Sequence, residues 1–277
     1  MVGLNVAIIG ATGAVGEQMR LILESRRFPV KNLKLAASER SAGQKLKFNG
    51  RFIEVEKLTA ETFNNVDLAL FSAGADVSRQ FAPLAKEKGT IVIDNSSAFR
   101  QEPDVPLVVP EVNRAELAKH KGIIANPNCS TIQMVVVLKP LHDLYELKRV
   151  VVSTYQAVSG TGRRAVVELL NQSKAFLAKQ TVKASVYPKQ IAFNVLPHID
   201  VFQSNGYSKE EMKMILETRK IMQLPALKIT ATTVRVPVIT GHSEAVNVEF
   251  KKPVSLEVAR EALAQAPGVT VLDDPQN

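Results

Sequence analysis

Residues 5–16 read Asn5-Val6-Ala7-Ile8-Ile9-Gly10-Ala11-Thr12-Gly13-Ala14-Val15-Gly16. The run to Ile9 predicts a buried strand, and the glycine-spaced segment after it predicts a tight turn opening into a helix from Glu17 to about Glu24. The spacing is G-x-x-G-x-x-G. Glycines at a strand-to-helix turn let the backbone approach a pyrophosphate, which then rests on the helix N-terminus. A plain tight turn is the bland alternative, but the position between strand and helix at the start of the chain points to a dinucleotide site. Gly10, Thr12, Gly13, Ala14, Val15 and Gly16 are its candidate phosphate contacts.

Working outward, Leu33 to Ala37 predicts a second strand, followed by Ser38-Glu39-Arg40-Ser41-Ala42-Gly43. An acid about 20 residues past the glycines suits the ribose of NAD, whereas Arg and Ser suit the 2′-phosphate of NADP. Both cues are present. Three donors, Ser38, Arg40 and Ser41, favour NADP, with Glu39 as the opposing cue or simply a solvated acid. Leu46 to Val55 predicts a hairpin. Val66 to Phe71 predicts a buried strand ending in Ser72-Ala73-Gly74-Ala75, where Ser72 and Gly74 leave room for a ligand. A helix over 77–88 and a strand over 90–94 restore the βαβ alternation of a doubly wound parallel sheet. Arg100, just beyond that strand, reads either as an anion binder on the crevice side or as a surface arginine. One more short strand is expected over 107–113, and 122–125 closes the sheet.

The next stretch, Gly122-Ile-Ile-Ala-Asn-Pro-Asn-Cys-Ser-Thr-Ile-Gln133, holds the chain's single cysteine, Cys129. Turn residues precede it and helical periodicity follows, so Cys129 falls at a helix N-terminus, which favours a thiolate. It is a candidate nucleophile, with a buried structural cysteine as the alternative. The reading divides the chain into a nucleotide domain over 1–127 and a second domain over 128–277.

In that second domain, Lys148 to Tyr155 predicts a strand ending in Gln156, followed by the glycine-rich turn Ala157-Val158-Ser159-Gly160-Thr161-Gly162 and a helix from about Arg164 to Lys179. Gln156 can orient a substrate without titrating, or be merely solvated. Residues 183–195 look irregular. His198 reads as structural, and His120 and His142 as surface residues. Ser208 and Glu211 form a capping-box pattern at the start of a helix. Glu210 and Lys213, three apart, are a surface pair or a site for an amine and an anion. Arg235, inside the strand-like run 229–239, needs a buried partner or an anionic ligand if both faces are covered. His242 is expected at the turn of a hairpin joining that run to a strand over 245–250, as a proton carrier or an ordinary turn residue.

The composition narrows the classes. The 277 residues are 45% hydrophobic and 22% charged, ordinary for globular domains, and no apolar run approaches a membrane span. No leader is evident at Met1-Val2-Gly3-Leu4-Asn5, so a cytoplasmic enzyme with no membrane partner is expected. A net charge of +8 is spread along the chain with only 5% aromatics, which argues for a phosphorylated small ligand over nucleic acid. One cysteine excludes an internal disulfide, and the four histidines lack metal-ligand spacing, so no metal is expected. The turn-like ending at 273–277 reads as the middle of a connection.

The motifs G-A-T-G-A-V-G (10–16), D-N-S-S-A-F-R (94–100), N-P-N-C-S-T (126–131), T-Y-Q-A-V-S-G (154–160), E-E-M-K (210–213), E-T-R-K-I (217–221) and R-V-P-V-I-T-G-H-S (235–243) together resemble the aspartate-β-semialdehyde dehydrogenases over essentially the whole chain. The resemblance implies an α/β Rossmann-type doubly wound sheet plus an α+β catalytic and dimerisation domain, the glyceraldehyde-3-phosphate-dehydrogenase-like architecture. It implies NADP-dependent, phosphate-linked interconversion of β-aspartyl phosphate and aspartate β-semialdehyde through a Cys129 thioester, serving lysine, diaminopimelate, methionine, threonine and isoleucine biosynthesis. Under it, Asn128 steadies the oxyanion, Gln156 orients the acyl group and His242 moves the proton. Arg235 clamps the α-carboxylate, Glu210 binds the α-amine, Arg100 with Lys213 holds phosphate, and Ser159 and Gly160 join the cofactor site. A homodimer or a tetramer is implied, as is further chain beyond residue 277 with a V-G-R segment and a helix. The alternatives are an N-acetylglutamyl-phosphate reductase-type enzyme and an inactive fragment or non-catalytic nucleotide-binding paralogue.

Overall fold

The computed structural model describes residues 3–274 and 276. Met1, Val2, Pro275 and Asn277, which took part in the reading of both chain ends, lie outside the described residues. The chain divides into two units, Met1–Val108 with Ala115–Pro127, and Val109–Arg114 with Asn128–Asn277.

The first unit begins with β1 (Leu4–Ile9), α1 (Ala14–Ser25), β2 (Val30–Ala37), β3 (Lys45–Phe48) and β4 (Arg51–Lys57). It continues through β5 (Leu68–Phe71), α2 (Ala75–Glu87) and β6 (Ile91–Asp94) to β7 (Ile123–Ala125), while α3 (Pro110–Asn113) belongs to the second unit. The seven strands lie in the order β3-β4-β2-β1-β5-β6-β7, parallel except for the β3–β4 hairpin. Alternation along β1 explains why both faces are covered. Val6 and Ile8 pack with Leu23 and Met19 of α1, whereas Ala7 and Ile9 pack with Ala82 and Ala85 of α2. A strand buried on both sides must be apolar throughout, and residues 6–9 of β1 are fully buried. The strands' carboxyl ends therefore gather the loops after β1, β2, β4 and β5.

The strand expected over 107–113 does not form. Leu107 makes one isolated bridge to Ala125, and Pro110 then opens α3, its fixed φ and missing N–H suiting a first helical turn. A single domain change at 127/128 made no provision for Val109–Arg114, which joins the second unit because α3 packs on the helix that starts at Cys129.

The second unit contains α4 (Cys129–Tyr145), β8 (Leu147–Gln156), α5 (Arg163–Leu177), α6 (Lys209–Ile221), β9 (Lys228–Arg235), β10 (Ser243–Phe250) and α7 (Leu256–Gln265). The expected 229–250 hairpin is also overturned. β8 lies between the other two strands, parallel to β9 and antiparallel to β10. After Arg235 the chain crosses the end of β8, with Val236 N–H donating to Gln156 O and Val158 and Ser159 N–H donating to Val238 and Ile239. Pro237 cannot donate a ladder bond, which suits a segment leaving the sheet. His242 thus ends a crossover that passes over the tip of β8.

Residues 183–195 carry no helix or strand, yet α5 holds them firmly. Glu168 accepts from the N–H groups of Ser185, Val186 and Tyr187, and Gln172 Oε1 accepts from Ile191 and Ala192 at 2.9 and 3.1 Å. Burial pushes the Glu168 carboxyl up, but the Ser185 hydroxyl and these N–H donors outweigh it and hold the pKa below the usual value.

Candidate active site

In the first unit a cleft of about 510 Å³ opens at the carboxyl ends of the strands. Gly10, Thr12 and Gly13 line it from the first turn, Ser38 and Glu39 from beyond β2, Lys57 from the end of β4 and Ser72 from beyond β5. The turn is built for backbone approach. Gly10 has φ +85°, and a Cβ at Gly16 would overlap the Gly10 carbonyl oxygen, so α1 can start only this close to β1 with glycine there. Gly13 is the N-cap of α1 without a side-chain cap, and Ala14 and Val15 form the exposed first turn. The N–H groups of that turn face no capping side chain, which fits an anion at the helix end.

Thr12 donates to Ser41 across the turn at 3.2 Å, and the Ser72 hydroxyl donates to Ile9 O at 3.0 Å. Gly74, at φ +95°, is the N-cap of α2. Arg40 stands exposed on the 3-10 turn 39–41. Arg100 is buried in this unit and donates to Asn95 O at 3.0 Å. Among the described residues no group of three or more His, Cys, Asp or Glu is placed to hold a metal ion, and no helix is long and apolar enough to cross a membrane.

In the second unit, Cys129 is exposed at the first position of α4. Asn128 is the N-cap, its Oδ1 accepting from Ser130 and Thr131 N–H at 3.0 and 3.3 Å. Its Nδ2 donates to Glu210 Oε1 at 2.8 Å and its backbone N–H to Glu217 Oε2 at 2.6 Å. The amide of Asn128 thereby fixes the start of α4. Glu210, on α6, also accepts from Gln156 Nε2 at 3.4 Å and pairs through Oε2 with Lys213 Nζ at 3.1 Å. Lys213 reaches Asp200 as well, at 2.9 Å. Burial pushes the Lys213 ammonium down, but Glu210 and Asp200 together raise it above its ordinary value. The pair, which reads in sequence as a surface contact or as a site for an amine and an anion, is a half-buried chain of charge ending at the N-cap of the cysteine helix.

The capping box of α6 helps place it. Ser208 N–H donates to Glu211 Oε2 at 2.7 Å, and Glu211 Oε1 accepts from Thr233 N–H at 3.1 Å, which ties α6 to β9.

Arg235 closes β9, 5% exposed. Its Nη1 donates to Ala157 O at 2.7 Å, its guanidinium carbon lies 6.0 Å from the Tyr187 ring centroid, and its Nε has no hydrogen-bond partner among the described residues. A buried guanidinium with an N–H left over is a site for an anion. His242 Nδ1 accepts from Ala157 N–H at 3.0 Å, which makes Nε2 the protonated atom of the neutral ring. Burial lowers the His242 pKa and the Arg235 charge lowers it further, against a weaker upward pull from Glu210.

Gly160 sits between Arg235 and His242. A Cβ there would lie 3.1 Å from Arg235 Nη1 and 3.2 Å from His242 Cε1 and Nε2. Both side chains can shift by a few tenths of an ångström, so Gly160→Ala should fold normally and keep its melting temperature. It should lower kcat/KM about tenfold by moving both groups, which steady-state assays beside a thermal melt will check. Ser159 N–H is held by Ile239 O in the same turn.

Several groups here had no clear signal in the sequence. Glu217 lies seven residues from Glu210, two turns along the same helix face, and that spacing was readable. Asp200 and Tyr187 come from irregular chain and gave none. Glu244, on β10, is pushed up to about 7 by burial, which a hydrogen bond from Gln133 only partly offsets.

Residues 5–120 match the semialdehyde dehydrogenase NAD binding domain and residues 138–277 the semialdehyde dehydrogenase dimerisation domain. The chain is 57% identical to the aspartate-semialdehyde dehydrogenase of Aquifex aeolicus, over 99% of this chain and 82% of that protein. It is 53% identical to that of Bacillus subtilis, over 99% of this chain and 81% of that protein. The crystal structure of aspartate semialdehyde dehydrogenase II complexed with ASA from Vibrio cholerae superposes with a TM-score of 0.95 at 48% identity, covering 97% of this chain and 80% of that one. With a nucleotide cleft in one unit and both a capped, exposed thiol and a buried arginine in the other, the chain belongs to the aspartate-semialdehyde dehydrogenase family, oxidoreductases with a pyridine-nucleotide-binding domain.

Proposed function

We propose that this chain interconverts β-aspartyl phosphate and aspartate β-semialdehyde with NADP, through a thioester on Cys129. The observation that carries the reading is the chain of contacts from Lys213 through Glu210 to Asn128, which caps the helix whose first residue is the exposed Cys129. A thiolate at that end is favoured by the helix dipole and attacks the acyl carbon, while the carbon–oxygen bond to phosphate breaks and phosphate leaves. The nicotinamide, when bound, supplies the hydride that reduces the thioester. His242 protonates the developing alkoxide to give the thiohemiacetal, then takes that proton back as the carbon–sulfur bond breaks, which releases the aldehyde and returns the thiolate.

Gln156 holds the acyl oxygen in place and Arg235 binds the α-carboxylate as a fork. Glu210, at the junction of Asn128, Gln156 and Lys213, binds the α-amine, and Lys213 with Arg100 takes the phosphate. Ser38, Arg40 and Ser41 bind the 2′-phosphate, and Ser159 and Gly160 contribute to the cofactor site. The dimerisation-domain match supports a homodimer. The reaction places the protein in biosynthesis of the aspartate-derived amino acids.

The test is phosphate-dependent NADP reduction with aspartate β-semialdehyde, run beside the N-acetylglutamate aldehyde. Turnover without phosphate dependence, or preference for the acetylated aldehyde, would contradict the proposal. In the oxidative direction the neutral imidazole is the working form. Activity should therefore fall only as pH drops through the His242 pKa, which lies below the ordinary 6.5. A His242→Asn variant that keeps the wild-type kcat/KM and its acid limb would remove His242 from the role.

A further inference from the structure

Arg40 is the sequence's obvious cation for the cofactor's 2′-phosphate, yet a different cation lines the cleft. β2 and β4 are parallel neighbours with Ala37 opposite Lys57, so both strands end at the same level and their next side chains share one rim. Lys57 and Glu39 both line the cleft there, next to Ser38, and are ion-paired with each other at 3.1 Å. Glu39 is the acid that would accept from a ribose 2′-hydroxyl and repel a 2′-phosphate. Its partner is Lys57, and the pair is open to water on both sides, with side chains 56% and 79% exposed for lysine and glutamate. An ion pair that exposed is weak and exchanges readily.

Resting on the NADP reading above, we propose that Lys57 is a specificity-determining residue of the cofactor site. Its ammonium neutralises Glu39 in the empty cleft and transfers to the 2′-phosphate when NADP binds, while Glu39 turns to solvent. With NAD no phosphate competes for Lys57, and an ion-paired Glu39 keeps lone pairs free to accept from the 2′-hydroxyl, so Lys57 leaves NAD affinity nearly unchanged. Lys57 thus raises affinity for the phosphorylated cofactor alone. Ser38 and Ser41 supply neutral donors beside this charge, and Lys57 adds the cation at the rim that Arg40 alone was expected to give.

The test is direct binding, by calorimetric titration of the intact protein with NADP, NAD, adenosine 2′-monophosphate and adenosine 5′-monophosphate. Lys57→Met keeps the aliphatic stem and removes the charge. It should weaken NADP and the 2′-monophosphate at least about tenfold and change NAD and the 5′-monophosphate less than about twofold. Lys57→Arg should restore most of the loss, and Glu39→Gln should tighten NADP several-fold. The salt dependence of NADP binding should also flatten in Lys57→Met. Unchanged NADP affinity in Lys57→Met, or equal losses for both cofactors, overturns the role of Lys57. A wild type that binds NADP and NAD equally overturns the NADP reading itself, and this proposal with it.

Discussion

Cys129→Ala should lower kcat by about four to six orders of magnitude, as loss of a covalent nucleophile does, while NADP affinity measured by titration stays unchanged. The size follows from what the first turn of α4 is built to do. Asn128 spends its side chain on two N–H groups and on Glu210, and Glu217 holds the backbone N–H before the cysteine, so four contacts fix one exposed sulfur. A structural cysteine would instead be buried, and its removal would cost stability. Cys129→Ala should therefore keep its melting temperature. Cys129→Ser separates the two effects further, since a hydroxyl at the same helix end stays protonated and should be nearly as inactive. Loss of less than tenfold in Cys129→Ala would show that the sulfur takes no covalent part.

Arg235→Lys should reduce kcat/KM for the aldehyde roughly a hundredfold, about 3 kcal/mol of lost transition-state binding, with the loss shared between KM and kcat. Lysine keeps the charge but not the planar fork, and it cannot hold Ala157 O while also meeting a carboxylate in the plane above Tyr187. The pH profile distinguishes charge from shape. In Arg235→Lys the cation beside His242 persists and the acid limb should barely move. In Arg235→Met one of the two causes that lower the His242 pKa is gone, so the limb should move to higher pH. An unmoved limb in Arg235→Met would mean that the imidazole does not govern the profile.

The fold was legible where one local rule governed it. The glycine turn at 10–16, the doubly buried β1 and the capping box at Ser208 and Glu211 each follow from a few neighbouring residues. The misreadings share a cause. The apolar run 107–109 resembled a strand because a single bridge and Pro110 cannot be told from a ladder in sequence. The 229–250 hairpin seemed natural because β9 and β10 are consecutive, but β8, whose inner face carries Val150, Val152, Thr154 and Gln156, is the strand that both edges need.

In the candidate site, residue types were readable and partners were not. Glu210 with Lys213 read as a surface pair or a site for an amine and an anion, because nothing local reveals that Asn128, 82 positions earlier, is a hydrogen-bond partner of Glu210. Tyr187 under Arg235 depends on Glu168 gathering the 185–187 backbone, a contact set by tertiary packing. The ion pair of Glu39 with Lys57 likewise depends on β4 inserting beside β2, which sequence order does not disclose.

The central claim is that the acyl group is carried on Cys129. It is tested most directly by mixing the protein with aspartate β-semialdehyde and NADP in the absence of phosphate and following NADPH on the millisecond scale. Intact-mass and peptide analysis of the quenched protein completes the measurement. A burst approaching one NADPH per active site is expected, then near-arrest until phosphate is added, with an aspartyl adduct on the peptide containing Cys129. Steady NADPH formation without a burst, or a protein that turns over with phosphate yet never carries that adduct, would contradict it.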